Sequence, residues 1–63
     1  MKEGDKLIGR QEGEQTWQHI GEIVTVVHVT EGTVTLEYED GGKALWLKPV
    51  GKADARGVYW EEI

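Results

Sequence analysis

The chain contains no cysteine and no phenylalanine, and serine and asparagine are missing too. Without cysteine no disulfide can hold the fold, so stability rests on packing, and the redox compartment stays open. Without serine or cysteine the usual nucleophiles are gone. No threonine sits beside an obvious base either, so an enzyme is not expected. No apolar run approaches the ~20 residues needed to span a bilayer, so no membrane association is expected. Lys2 is followed by Glu3, Gly4 and Asp5 where a signal peptide would be apolar. Together these absences lead to the expectation of a soluble, cytoplasmic protein with Met1 as its natural start.

What is present is short and acidic. Sixty-three residues allow one domain, residues 1–63. A chain this short buries only about 60% of the surface it exposes when unfolded, so every large apolar residue matters. Twelve acidic residues against seven basic ones give a net charge of −5, which opposes general attraction to a phosphate backbone. The acids are scattered along the chain, as on a solvated surface that keeps a small domain soluble. A cationic partner is the functional alternative.

Strand periodicity carries most of the fold information. In Gly32-Thr-Val-Thr-Leu-Glu-Tyr-Glu-Asp-Gly-Gly42, Val34, Leu36 and Tyr38 alternate with Thr33, Thr35, Glu37 and Glu39. That gives one buried and one wet face. Asp40-Gly41 is a strong hairpin signal, and Val29-Thr-Glu-Gly-Thr33 suits a type I turn closed by a left-handed glycine. The pattern predicts five antiparallel strands near residues 4–10, 17–29, 33–39, 43–48 and 58–62. Gly21 would mark a bulge or bend, and residues 51–57 a short 3₁₀ turn before the last strand. A two-residue loop at Asp40-Gly41 would set Leu36 opposite Leu45 and Val34 opposite Leu47, leaving Trp46 outward. A three-residue loop would reverse that parity and bury Trp46. In the second strand Val24, Val26 and His28 compete with Ile23, Val27 and Val29 for the interior, and a strongly bent strand can bury parts of both sets.

Gly4-Asp5, Trp17 before a bent strand, Gly21-Glu-Ile-Val-Thr-Val-Val27 and Gly32-Thr-Val-Thr-Leu-Glu-Tyr-Glu-Asp-Gly41 together resemble the Tudor, chromo-barrel and KOW group of Src-homology-3-like barrels. Leu45-Trp-Leu-Lys-Pro-Val50 is similar to the strand and turn that close those barrels. The resemblance spans most of residues 4–50 and rests on strand periods and turn glycines. It implies an all-β, five-stranded small barrel. The Tudor type implies a cage of three or four aromatics that receives methylated lysine or arginine. Trp17 and Tyr38 match two cage positions, while Asp40, Gly41 and Gly42 add no ring, although Asp40 could face a cation. The same two rings would also serve simply to cap the core. The KOW type implies contact with nucleic acid or with the transcription and translation machinery.

Trp46, Tyr59 and Trp60 form a second aromatic set. Neighbours on a strand face opposite ways, so one of Tyr59 and Trp60 should look outward, where aromatics anchor protein interfaces. The alternative is that a small barrel spreads its rings over both rims for stability. The basic residues Lys2, Lys6, Arg10, Lys43, Lys48, Lys52 and Arg56 are diluted by acids, which disfavours direct nucleic-acid binding. No metal is expected, because His19 and His28 have no second ligand pair. The Gly41-Gly-Lys and Gly51-Lys segments fail the phosphate-loop pattern; for the second, Trp46 and Ala53 stand where Gly and Ser or Thr are needed. No cofactor is called for. The leading expectation is a monomeric interaction module that docks a basic or proline-containing protein segment through Trp17, Tyr38, Glu37, Glu39, Asp40, Trp46 and Trp60. A small accessory protein of bacterial or phage origin suits this reading, and the runner-up is a regulator of transcription or nucleic-acid processing. It would act directly or as an acidic mimic through Glu37, Glu39, Asp40 and Asp54.

Overall fold

The computed structural model describes residues 1–63 and contains five strands and no helix. They are β1 (Lys6–Gln11), β2 (Ile23–Val29), β3 (Thr33–Glu37), β4 (Lys43–Leu47) and β5 (Val58–Glu62). As the sequence predicts, all five pair antiparallel; they form one sheet of order β4-β3-β2-β1-β5. No helix is long and apolar enough to cross a membrane. β4 and β5 stand at opposite ends of that order, yet the rings of Trp46 and Trp60 meet at 5.7 Å. The sheet therefore curls on itself and stays open between β4 and β5, which share no ladder.

The core follows from strand parity. Leu7, Val24, Val26, Val34, Leu36 and Trp60 close on one another together with Val50. Val34 and Leu36 are fully buried, with the threonines and Glu37 of β3 on the other side. In β2 a bulge settles the competition for the interior. Val26 pairs with Leu36 and His28 with Thr35, so Val27 has no partner and the parity flips. Val24 and Val26 point inward before the bulge, Val29 packs on the core after it, and His28 is exposed.

The β3–β4 register corrects an expectation. Val34 pairs with Trp46, Leu36 with Ala44 and Thr35 with Leu45. Tyr38 N–H donates to Gly42 O at 2.7 Å, so the loop is Glu39-Asp40-Gly41, three residues long. Gly41 has φ of 91°, a conformation that glycine adopts without steric cost, and it supplies the extra residue of a three-residue hairpin. The parity of β4 is thereby reversed. Trp46 turns inward against the core, while Leu45 and Leu47 are 68% and 76% exposed.

Three connections also differ from expectation. Residues 17–21 form a turn and β2 begins only at Ile23. The turn lies on β1, where Gly9 N–H donates to Glu22 O (3.0 Å) and Gly21 N–H to Gly9 O (2.9 Å). Between β2 and β3, Gly32 does not take positive φ. The Thr30 hydroxyl instead accepts from Thr33 N–H at 3.0 Å. Residues 49–57 make two separate single turns, Lys52 N–H to Pro49 O (3.4 Å) and Gly57 N–H to Asp54 O (2.9 Å). These are i→i+3 turns without a helical run between them.

Asp54 organises the second of those turns. Its Oδ1 accepts from the N–H groups of Arg56 (2.8 Å) and Val58 (3.1 Å), and its Oδ2 from the Arg56 guanidinium (2.9 Å). The Arg56 side-chain bond, aided by the two backbone donors, holds the carboxyl below the ordinary aspartate range. A depressed folded-state pKa gives stability that is present above the unfolded value and lost as pH falls through the folded one. Asp54→Asn should therefore be less stable than the parent at neutral pH. The gap should narrow below about pH 4, near the unfolded aspartate value. Urea titrations of both proteins at pH 7 and pH 3 check this; an equal gap at both pH values would contradict it.

Candidate functional site: an aromatic cleft

The fold gathers four of the five aromatic residues at one end of the curled sheet. Trp46 arrives on β4, Tyr38 just after β3 on the same inward parity as Leu36, Trp60 on β5, and Trp17 on the turn over Gly9. Trp17 meets Trp60 at 5.0 Å and Trp46 at 6.0 Å, both edge to face. His19, from the same turn, stacks on Tyr38 at 4.4 Å with 18° between the planes. Edge-to-face and offset arrangements suit the ring quadrupoles. Trp60, 1% exposed, packs against the rings of Trp17 and Trp46 from the core. Above it, Trp17, His19, Tyr38 and Trp46 are half-buried and line an open cleft of about 490 Å³ with Gln11, Thr16, Gln18 and Arg56.

Gln11, which sequence reasoning missed, holds Trp17 in place. It is the buried polar side chain of the core, and its Oε1 accepts from the N–H groups of Thr16 and Trp17, both at 2.8 Å. Its Nε2 donates to Arg56 O at 2.9 Å. One amide thus ties together the two loops that wall the cleft and satisfies backbone groups that would otherwise be costly to bury. The signal for it lay in the period of two. Leu7, Gly9 and Gln11 share the inward face of β1, and a glutamine there needs partners.

Charge is distributed unevenly around the rings. His19 Nδ1 lies 2.7 Å from Glu22 Oε1, and Arg56, on the cleft wall, is paired with Asp54. The acids expected at the rim stand elsewhere. Glu37 and Glu39 have the opposite parity to Tyr38 and border a neighbouring groove with Lys6, Ile23, Thr25 and Tyr38. Asp40 sits at the hairpin tip, where its Oδ1 accepts from Gly42 N–H at 2.8 Å.

Of the candidate residues, Trp17, Tyr38 and Trp46 are therefore brought together. Trp46 joins them rather than facing the other way, because the loop has three residues. Trp60 supports these rings from below and, being buried, does not reach a partner; Tyr59 is its half-exposed neighbour. Glu37, Glu39 and Asp40 lie beyond Tyr38, outside the cleft. No group of three or more histidines, cysteines or carboxylates is placed to hold a metal ion. No family model matches the chain, and no match is found among curated proteins or solved structures.

Proposed function

We propose that this protein is a non-enzymatic interaction module, a small barrel of the Src-homology-3-like kind whose aromatic cleft docks an extended segment of a partner protein. The observation that carries this reading is the open face shared by Trp17, His19, Tyr38 and Trp46 over the buried Trp60. Trp17 stands at steep angles to His19 (76°) and Trp46 (65°), and solvent-facing rings so placed offer slots for flat or rigid apolar side chains. Proline is favoured because a polyproline segment has little conformational entropy left to lose. Arg56 on the wall disfavours a bare cation deep in the cleft. Tyr38 is shared with the groove that holds Glu37 and Glu39. A segment crossing Tyr38 would seat proline among the tryptophans and a lysine or arginine beside those carboxylates, with cation–π attraction of about 0.5–1 kcal/mol on the way.

Panning a random peptide library against the folded protein tests this. The selected peptides should pair proline with a basic residue two to four positions away, and they should shift the indole N–H signals of Trp17 and Trp46 in NMR spectra. Trp17→Phe should weaken such a peptide modestly and Trp17→Ala by tenfold or more, about 1.4 kcal/mol, while Lys52→Ala changes little. Peptides without this pattern, or shifts confined to residues far from 17, 38 and 46, would reject the assignment.

A further inference from the structure

A second surface lies on the open side of the sheet, at the free edge of β4. Lys48 N–H donates to Gly32 O and Tyr38 N–H to Gly42 O, so the even-numbered residues of β4 exchange hydrogen bonds with β3. The alternation of an antiparallel ladder then turns the N–H and C=O groups of Lys43, Leu45 and Leu47 away from the sheet. None of the backbone bonds made by turns and loops involves these three residues. β5 does not cover them. Its own outer edge is occupied by the preceding segment, through Trp60 N–H to Val50 O (2.8 Å) and Asp54 N–H to Val58 O (3.0 Å). Between that segment and β4 lies a groove of about 370 Å³ bordered by Leu45, Trp46, Leu47, Pro49, Val50, Lys52, Val58 and one carboxylate, Asp54, whose charge is paired with Arg56 at 2.9 Å. The charged side chains beside the free edge and its groove are three lysines that make no ion pair, Lys43, Lys48 and Lys52, and Asp54, already paired with Arg56; with them stand two exposed leucines. Glu37 stands across from Lys43, on the side of β4 away from the free edge.

We infer that this edge accepts an added β-strand from a partner protein, a segment with aliphatic residues at alternate positions and acidic residues at its ends. The ladder groups require an extended backbone, and Leu45 and Leu47 require apolar neighbours two residues apart. The unpaired lysines beyond them fit carboxylates. Two copies joined β4 to β4 would satisfy the same ladder. That arrangement, however, sets Lys43, Lys48 and Lys52 of both copies along one seam. Like charges facing each other across strands are destabilising, so charge selects the acidic strand over self-pairing.

The test uses the full protein and three synthetic peptides: a valine–threonine alternating octamer with aspartates at both ends, the same octamer with lysines there, and an aspartate-ended scramble without alternation. In fluorescence anisotropy the first should bind at least tenfold tighter than the other two, with affinity falling as salt rises. It should also slow amide hydrogen exchange at Lys43, Leu45 and Leu47. Leu47→Pro removes an outward N–H that β3 does not use, so the fold survives and binding should drop at least tenfold. Lys43→Glu should narrow the preference for aspartate over lysine ends. Equal binding of the three peptides, or no amide protection at Leu45 and Leu47, would overturn the inference. So would a dimer seen by sedimentation without peptide that Leu47→Pro dissolves, because the occupant would then be a second copy.

Discussion

Gly9→Ala should leave the protein largely unfolded, although the position is in the middle of a strand and has an ordinary backbone conformation. A Cβ there would run into the carbonyl oxygen of His19 and lie 2.9 Å from the Trp17 ring. The first of these obstacles is backbone, held by the reciprocal bonds between Gly9 and residues 21 and 22, so no side-chain rotation relieves it. Overpacking alone costs about 1–3 kcal/mol. Here relief requires lifting the 17–21 turn off β1, which gives up the Trp17 contacts as well. A domain of this size has about 5 kcal/mol to lose. Gly32→Ala is the matched control. Gly32 has no atom within 4 Å of a Cβ and no positive φ, so alanine there should be neutral or stabilising by up to about 1 kcal/mol through the unfolded chain. Thermal melts followed by tryptophan fluorescence should separate the two widely, and comparable melting temperatures would show that the turn does not rest on Gly9.

Leu36→Ala should destabilise by about 2–5 kcal/mol, the usual cost of a buried leucine truncation. Leu45→Ala should cost well under 1 kcal/mol. Both residues are leucines on adjacent strands, but Leu36 is 0% and Leu45 68% exposed. The pair distinguishes the two possible β3–β4 registers, since a two-residue loop would bury both side chains against each other. Thr35→Ala, on the outer face, should stay within about 0.5 kcal/mol. Equal losses for Leu36→Ala and Leu45→Ala in denaturant titrations would contradict the observed pairing.

These contrasts show where the sequence is informative. The inward set of β3 is legible because unbroken alternation admits one solution, and the five strands follow from runs of β-branched residues between turn signals. The register of β4 is not legible, because Asp40-Gly41-Gly42 accommodates two loop lengths whose side-chain patterns are mirror images. Hydrophobicity even favours the wrong one, with Leu45 and Leu47 flanking a single tryptophan. The turn at residues 17–21 escapes for another reason. Its cause lies in Gly9, eight to twelve residues away, where a missing side chain lets two backbone segments touch. Gln11 combines both problems, since its importance depends on loop amides that no local pattern locates. As a result the cleft is half readable. Trp17 and Tyr38 stand out in the sequence, while Trp46, His19 and Gln11 need the tertiary arrangement.

The three-residue loop between β3 and β4 means that the identity of the cleft is stored as a number rather than as a residue type. Loss of one codon between Tyr38 and Gly42 would leave every strand residue in place, yet bring leucines to the ring cluster and put the tryptophan outside. Point substitutions in Glu39 or Asp40 leave that count untouched. A lineage descending from this chain would thus be free to vary the letters of the loop but not its length, and a change of length would mark the descent of a different binding face.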